Sequence, residues 1–256
     1  MTVHAEQDGK RLILTMDLPP LNILDLGALK EMGKILDQAA AAVAAGEVHL
    51  VALRGAGERA FSAGVAVQDH TRERVPGMLG TIHGVARRLR ALTVPTVAIV
   101  HGHCLGGGFE LALCCDMIVA ADDTRFATPE IKLGCFPPIA TALLPRRIGR
   151  GQALELILSG RTFDTAEAQR LGLVLRTAPP RELPAVAEAL MAQLTAHSGA
   201  VARHLKAAVA VGEAQGFDAA LEEAERIYLE ELLPLDDMEE GLNAFLEKRA
   251  PTWQHR

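Results

Sequence analysis

Thr96-Val-Ala-Ile-Val100-His-Gly-His-Cys104-Leu-Gly106-Gly107-Gly108-Phe109-Glu110-Leu-Ala-Leu113 is the run that decides the fold. Thr96 to Val100 is apolar and rich in β-branched residues, which suits a strand buried on both faces. Three glycines then remove every Cβ from a turn. Phe109 to Cys115 follows as a short apolar helix. A strand feeding a helix through a glycine turn is the repeating unit of an α/β fold with a largely parallel sheet.

The same alternation extends outward on both sides. Upstream, Arg11 to Met16 reads as a strand, and Pro19-Pro20 interrupts it. Leu26, Leu29, Met32, Ile35, Leu36, Ala39 and Val43 then fall at helical spacing, with Asp25 available as N-cap and Gly46 as a stop. Val48 to Leu53 reads as a strand closed by Gly55-Ala-Gly57, and Val75 to Leu92 as a helix despite three glycines. Downstream, Met117 to Ala120 is the next strand, and the alternation continues to about residue 175. After Pro179-Pro180 the texture changes. Leu183 to Thr195, Ala200 to Val211, Phe217 to Leu232 and Asp236 to Arg249 all read as helices. The last has four acids at its start and Lys248-Arg249 at its end, as the helix dipole favours. The expected organisation is an α/β core over residues 1–195 and a helical C-terminal region over residues 196–256.

The 256 residues are 49% hydrophobic and 23% charged, an ordinary globular balance that leaves room for a large core. A formal charge of −6 argues against a nucleic-acid partner, because no basic face is implied. The longest stretch without a charged residue, Ala91 to Phe109, holds Pro95 and four glycines, so it is no membrane span. The N-terminus lacks the layout of a signal peptide, and a cytoplasmic location is expected. Cys104, Cys114, Cys115 and Cys135 form no CxxC pair or zinc spacing and read as buried free thiols.

Several features bear on chemistry. Amides at the start of the helix after Gly106-Gly107-Gly108 suit a developing oxyanion. Glu110 is the only charge in that apolar helix; it either complements the first-turn dipole or takes part in a reaction. Glu130, in Thr128-Pro129-Glu130-Ile-Lys-Leu-Gly134, reads alone as a solvated loop carboxylate. Were the two glutamates to meet, they would divide acid and base work once their pKa values differed. Phe61-Ser-Ala-Gly64-Val65 is a second small-residue turn able to present a backbone donor. Gly55-Ala-Gly-Glu-Arg-Ala60 matches a loose dinucleotide fingerprint but opens no helix and lacks a later acid. His101 and His103 have no third ligand beside them, so no metal is expected.

Taken in order, these pieces resemble the crotonase (enoyl-CoA hydratase/isomerase) superfamily. The matching segments are Pro20-Leu-Asn22, Phe61 to Gly64, Leu105 to Ala112, Pro129 to Gly134, Ile148-Gly-Arg150, Leu158-Ser-Gly160, Ala166 to Val174 and Glu240 to Arg249. The resemblance implies a spiral of ββα turns whose helical C-terminal region assembles trimers, often paired into hexamers. It implies an acyl-CoA thioester substrate, with coenzyme A part of the substrate and no separate cofactor. It assigns the oxyanion donors to the amides of Val65 and Gly107, and the catalytic acid and base to Glu110 and Glu130. Leu21, Ala63, Gly64 and Gly106 would line the acyl-CoA, and Phe245 and Lys248 would reach a neighbouring subunit's coenzyme A. Two departures bear on the substrate. Ala66 stands where the family has Asp, and Pro137-Pro138-Ile139-Ala140, followed by Leu143-Leu-Pro145, replaces a glycine-rich segment. These departures are similar to hydratases of cyclohexa-1,5-diene-1-carbonyl-CoA in aromatic degradation. The alternatives are a straight-chain enoyl-CoA hydratase and a non-catalytic oligomer on the same fold.

Overall fold

The computed structural model describes residues 2–256 and contains two sheets joined by a recurring ββα turn. Strand β3 (Leu50–Gly55) leads into β4 (Ala60–Ser62) and then helix α2 (Val75–Ala91). Strand β5 (Thr96–Val100) leads into β6 (His103–Leu105) and then α3 (Gly107–Cys114). Strand β7 (Met117–Ala121) leads into β8 (Arg125–Ala127), a 3-10 turn over Pro129–Leu133, and then α4 (Pro138–Ile148) and α5 (Arg150–Ser159). First strands of the units pair in parallel with one another, and so do the second strands. The chain thus winds as a spiral with two sheet walls.

The larger sheet adds a hairpin, β1 (Thr2–Asp8) against β2 (Arg11–Asp17), at one edge, and β10 (Arg176–Ala178) at the other. The smaller sheet ends on β9 (Phe163–Asp164), which precedes α6 (Thr165–Arg170). Central strands are largely apolar, with Arg54 of β3 as an exposed exception, because most of both faces is covered. Val51 and Leu53 of β3 join the main core with α1 (Leu26–Ala44) and α2, while Leu50 and Ala52 meet Leu183, Leu190 and Met191 of α7 (Leu183–Thr195). Inside the spiral, Phe109, Phe126 and Phe163 bring their ring centroids within 5.5–5.8 Å. The corners between sheets need glycine. At Gly102 φ is +57°, and a Cβ there would strike the Arg59 carbonyl.

Asp25 caps α1 as expected, accepting from the Ala28 amide at 2.8 Å, and Gly46 leaves it at φ +71°. Other expectations need correction. Helix α3 starts at Gly107, two residues before the apolar run begins, because a Cβ-free backbone can enter the first turn against Ser62. The segment Phe217 to Leu232 is not one α-helix: α9 (Phe217–Arg226) passes into a wider π-type turn over Ile227–Leu232. Helix α8 (Gly199–Ala214) is longer than its apolar pattern and is capped by Ser198. Helix α10 (Asp236–Glu247) stops at Lys248, φ +56°; Arg249 then turns back to grip Glu240 at 2.6 and 2.8 Å. The strand β1 and the whole smaller sheet have no counterpart in the sequence reading.

Asn22 ties the entry to the spiral. At φ +52° and 2% exposure, its Oδ1 accepts from Leu18 N–H, and its Nδ2 donates to the Ala56 and Ala60 carbonyls. Asn22→Ala removes the side-chain partner of three backbone groups, one of them buried, and puts alanine, which tolerates the left-handed region less well than asparagine, at φ +52°. The expected loss is roughly 3 kcal/mol or more in urea unfolding; a loss below about 1 kcal/mol contradicts this account.

Candidate active site

The site forms where two of the spiral's turns approach each other. After β4, the Ser62 hydroxyl accepts from the Gly64 amide at 3.1 Å and donates to the Asn22 carbonyl at 2.7 Å. Leu24 N–H bonds to the Gly64 carbonyl, and Ala66 N–H bonds to the Leu24 carbonyl. This clamp fixes Val65 with its own N–H directed elsewhere. In the facing turn, Gly106 donates to the Ala127 carbonyl at 2.9 Å and opens α3. A Cβ on Gly64 would stand 3.4 Å from Gly107 N, and a Cβ on Gly107 would stand 3.5 Å from Val65 N. The two amides are therefore neighbours, and neither has an acceptor among the described residues. Both residues line a cavity of about 230 Å³.

The same cavity holds both glutamates. Glu110 projects from the first turn of α3, is 4% exposed, and accepts the Ala140 N–H at 2.9 Å. Burial raises its pKa to about 7, and the charge of Glu130 adds to the rise. Glu130 sits on the 3-10 turn with Oε1 against Gly106, so close that a Cβ on that glycine would lie 2.7 Å away. Its Oε2 is buried without a partner, and burial raises its pKa. The reading of Glu130 as a solvated loop carboxylate is therefore wrong. Residues that follow the turn, among them Cys135, Pro137 and Pro138, continue the cavity wall beside it.

Ala63, Gly64 and Gly106 line the cavity with the two amides. Leu21 does not: it meets the site through its carbonyl, which accepts the Ala63 N–H at 2.9 Å. Phe245, 82% exposed, and Lys248 lie on the tail and do not line the cavity of their own chain. Of the bulky replacement segment, Pro137 and Pro138 form cavity wall, whereas Leu143 and Leu144 turn into the core. The Gly55-Ala-Gly57 turn leads into β4 and not into a helix, so the dinucleotide fingerprint has no structural counterpart. Cys104, Cys114 and Cys115 are buried, with burial pushing the Cys114 thiol up to about 12. Cys135 is instead half-exposed on the cavity wall.

Sequence reasoning missed His70, His83 and Cys135 on this wall, and the apolar lip of Val67, Leu133 and Phe136. Only Phe136, a large apolar residue between Cys135 and Pro137, carried any signal.

Comparison with known proteins bears on the same arrangement. The family model for enoyl-CoA hydratase/isomerase matches residues 9–256. Cyclohexa-1,5-dienecarbonyl-CoA hydratase of Thauera aromatica is 36% identical over 258 residues, covering 100% of this chain and 97% of the relative. Short-chain-enoyl-CoA hydratase of Clostridium acetobutylicum is 34% identical, covering 96% and 95%. The crystal structure of an enoyl-CoA hydratase from Bacillus anthracis superposes with a TM-score of 0.94 at 29% identity, over 100% of both chains. A spiral of ββα turns, facing glycine bends and similarity that runs the whole length lead to one conclusion: the chain belongs to the enoyl-CoA hydratase/isomerase family.

Proposed function

We propose that this protein adds water to the double bond of an α,β-unsaturated acyl-CoA, with a cyclic dienoyl thioester as its preferred substrate. The observation that carries the reading is the pairing of two acceptor-free amides with two buried carboxyls around one small cavity. Water addition builds negative charge on the thioester oxygen as an enolate. The Val65 and Gly107 N–H groups would receive that oxygen, each contributing roughly 3 kcal/mol in the transition state. Glu110, with a pKa of about 7, is ionised in a good share of molecules at neutral pH and would take a proton from water. Glu130 would deliver a proton to carbon. Every group in these steps belongs to the chain, the thioester or water.

Support for the cyclic substrate comes from the Thauera aromatica relative's name and from the walls of the cavity. Pro137, Pro138, Met78 and Ile82 bound a compact space that suits a ring. The helical tail exposes Leu205, Val209, Leu242, Phe245 and Leu246, which supports assembly as a homotrimer or homohexamer. In that assembly Phe245 and Lys248 would meet coenzyme A bound to a neighbour.

The test is turnover of crotonyl-CoA and cyclohexa-1,5-diene-1-carbonyl-CoA, read by mass spectrometry for one added water. Water added to both, with kcat/KM higher for the cyclic diene by about tenfold (about 1.4 kcal/mol), is expected. A preference for crotonyl-CoA overturns the cyclic assignment. Water added to neither overturns the activity itself.

A further inference from the structure

Water addition in the manner described leaves the site out of balance. Glu110 ends with one proton more than it began with, and Glu130 with one fewer. Glu130 must regain a proton before the next substrate reacts.

His70 stands where that proton can be supplied. It closes a 3-10 turn over Val67–His70, five residues beyond Val65, and its ring lines the cavity that holds both carboxyls. Nδ1 lies 3.2 Å from the Ala66 carbonyl oxygen. A carbonyl only accepts, so Nδ1 carries a proton and Nε2 is the bare nitrogen of the neutral ring. Nε2 has no partner among the described residues, and neither does Oε2 of Glu130. Both side chains line one cavity, and a charge on the ring there favours the ionised form of Glu130. Other groups on this wall are poorly suited to the task. His83 has its Nε2 sealed from solvent, and burial disfavours its cation. The Cys135 thiol is pushed up by burial. Asp69, beside His70 in the chain, does not line this cavity and is paired with Arg74 at 3.4 Å.

We propose that His70 returns the proton to Glu130 between turnovers, a reading that rests on the acid and base roles given above. The N–H bond at Nε2 of the imidazolium breaks and an O–H bond forms on the Glu130 carboxylate. The neutral ring then takes a proton from water at the cavity mouth, and the extra proton on Glu110 leaves to water. No net proton is gained or lost. His70 acts through Glu130 and touches no reacting carbon, so it is a positioning residue.

The experiment uses the full-length protein and the faster hydrated of the two thioesters named above. Single-turnover rates with enzyme in excess are compared with steady-state kcat for wild type, His70→Gln and His70→Leu, with and without added imidazole. The first turnover should be unaltered, while kcat falls roughly 10- to 100-fold and imidazole restores His70→Leu. Unaltered kcat overturns the proposal, since direct exchange between the glutamates then resets the site. Equal losses in both rates without imidazole rescue also overturn it, because the role is then structural. Glu130→Gln is run in parallel: if it keeps its first turnover, the acid role of Glu130 fails instead.

Discussion

Glu110→Gln is expected to lose roughly 10²- to 10⁴-fold in kcat and, at pH 8, to unfold at higher urea than wild type. Both effects come from one feature, a carboxyl buried to 4% exposure in an apolar helix. The catalytic loss follows from removing the base that takes a proton from water. The gain in stability follows from linkage. In the unfolded chain Glu110 ionises near 4.5, and in the folded protein near 7. Below pH 4.5 both states hold the proton and the site costs nothing. As pH rises from 4.5 to about 7 the unfolded chain releases its proton first, which draws the equilibrium toward unfolding. Above that window the folded state carries a penalty on the order of 3 kcal/mol. Glutamine carries no charge, and its carbonyl can still accept the Ala140 N–H. Urea unfolding of the two proteins at pH 4 and pH 8 checks this. Similar stability at pH 4 and a more stable variant at pH 8 is the expected pattern; a variant weaker than wild type at pH 8 refutes it. The wild-type kcat/KM should correspondingly rise with pH through about 7 as Glu110 ionises.

Parts of the fold and of this site could be read from the sequence and others could not. Helix α1 and strands β3, β5 and β7 were legible because each repeats an apolar period over five or more residues against a core. The smaller sheet was not, since β4, β6, β8 and β9 have two or three residues each, too few to show alternation. Strand β1 reads as polar because its edge position leaves Glu6, Gln7 and Asp8 exposed; pairing with β2 makes it a strand. Gly106-Gly107-Gly108 announced a close approach, but not what approaches: Glu130 packs on Gly106, Val65 on Gly107 and Ser62 on Gly108. Local sequence also misjudged the surroundings of Glu130, because Gly106 packs against it from one turn of the spiral while His70 and His83 reach the same cavity from another. Family resemblance supplied the partners that spacing could not.

Gly64→Ala should lower kcat and kcat/KM together by roughly 10²- to 10³-fold, the loss seen when one oxyanion donor is removed. At this residue φ is +96°, and a Cβ would lie 2.9 Å from the Leu105 carbonyl oxygen. That oxygen is backbone and cannot swing aside as a side chain does. The turn must therefore open, and Val65, whose N–H is next in the chain, moves away from Gly107. Strain at such a φ also costs about 1–3 kcal/mol of stability, so lost activity alone does not identify the donor. Gly46→Ala provides the comparison. Its φ is +71°, but nothing lies within 4 Å of the added Cβ, and it sits beyond the end of α1, away from the cavity. Both variants should lose stability in urea unfolding, while only Gly64→Ala loses turnover. Should Gly64→Ala remain folded with kcat close to wild type, the Val65 amide is not an oxyanion donor. The charge on the thioester oxygen would then rest on Gly107 alone. Equal loss of turnover in the two variants would instead assign the effect to general destabilisation. The expected contrast assigns it to the distance between two peptide N–H groups.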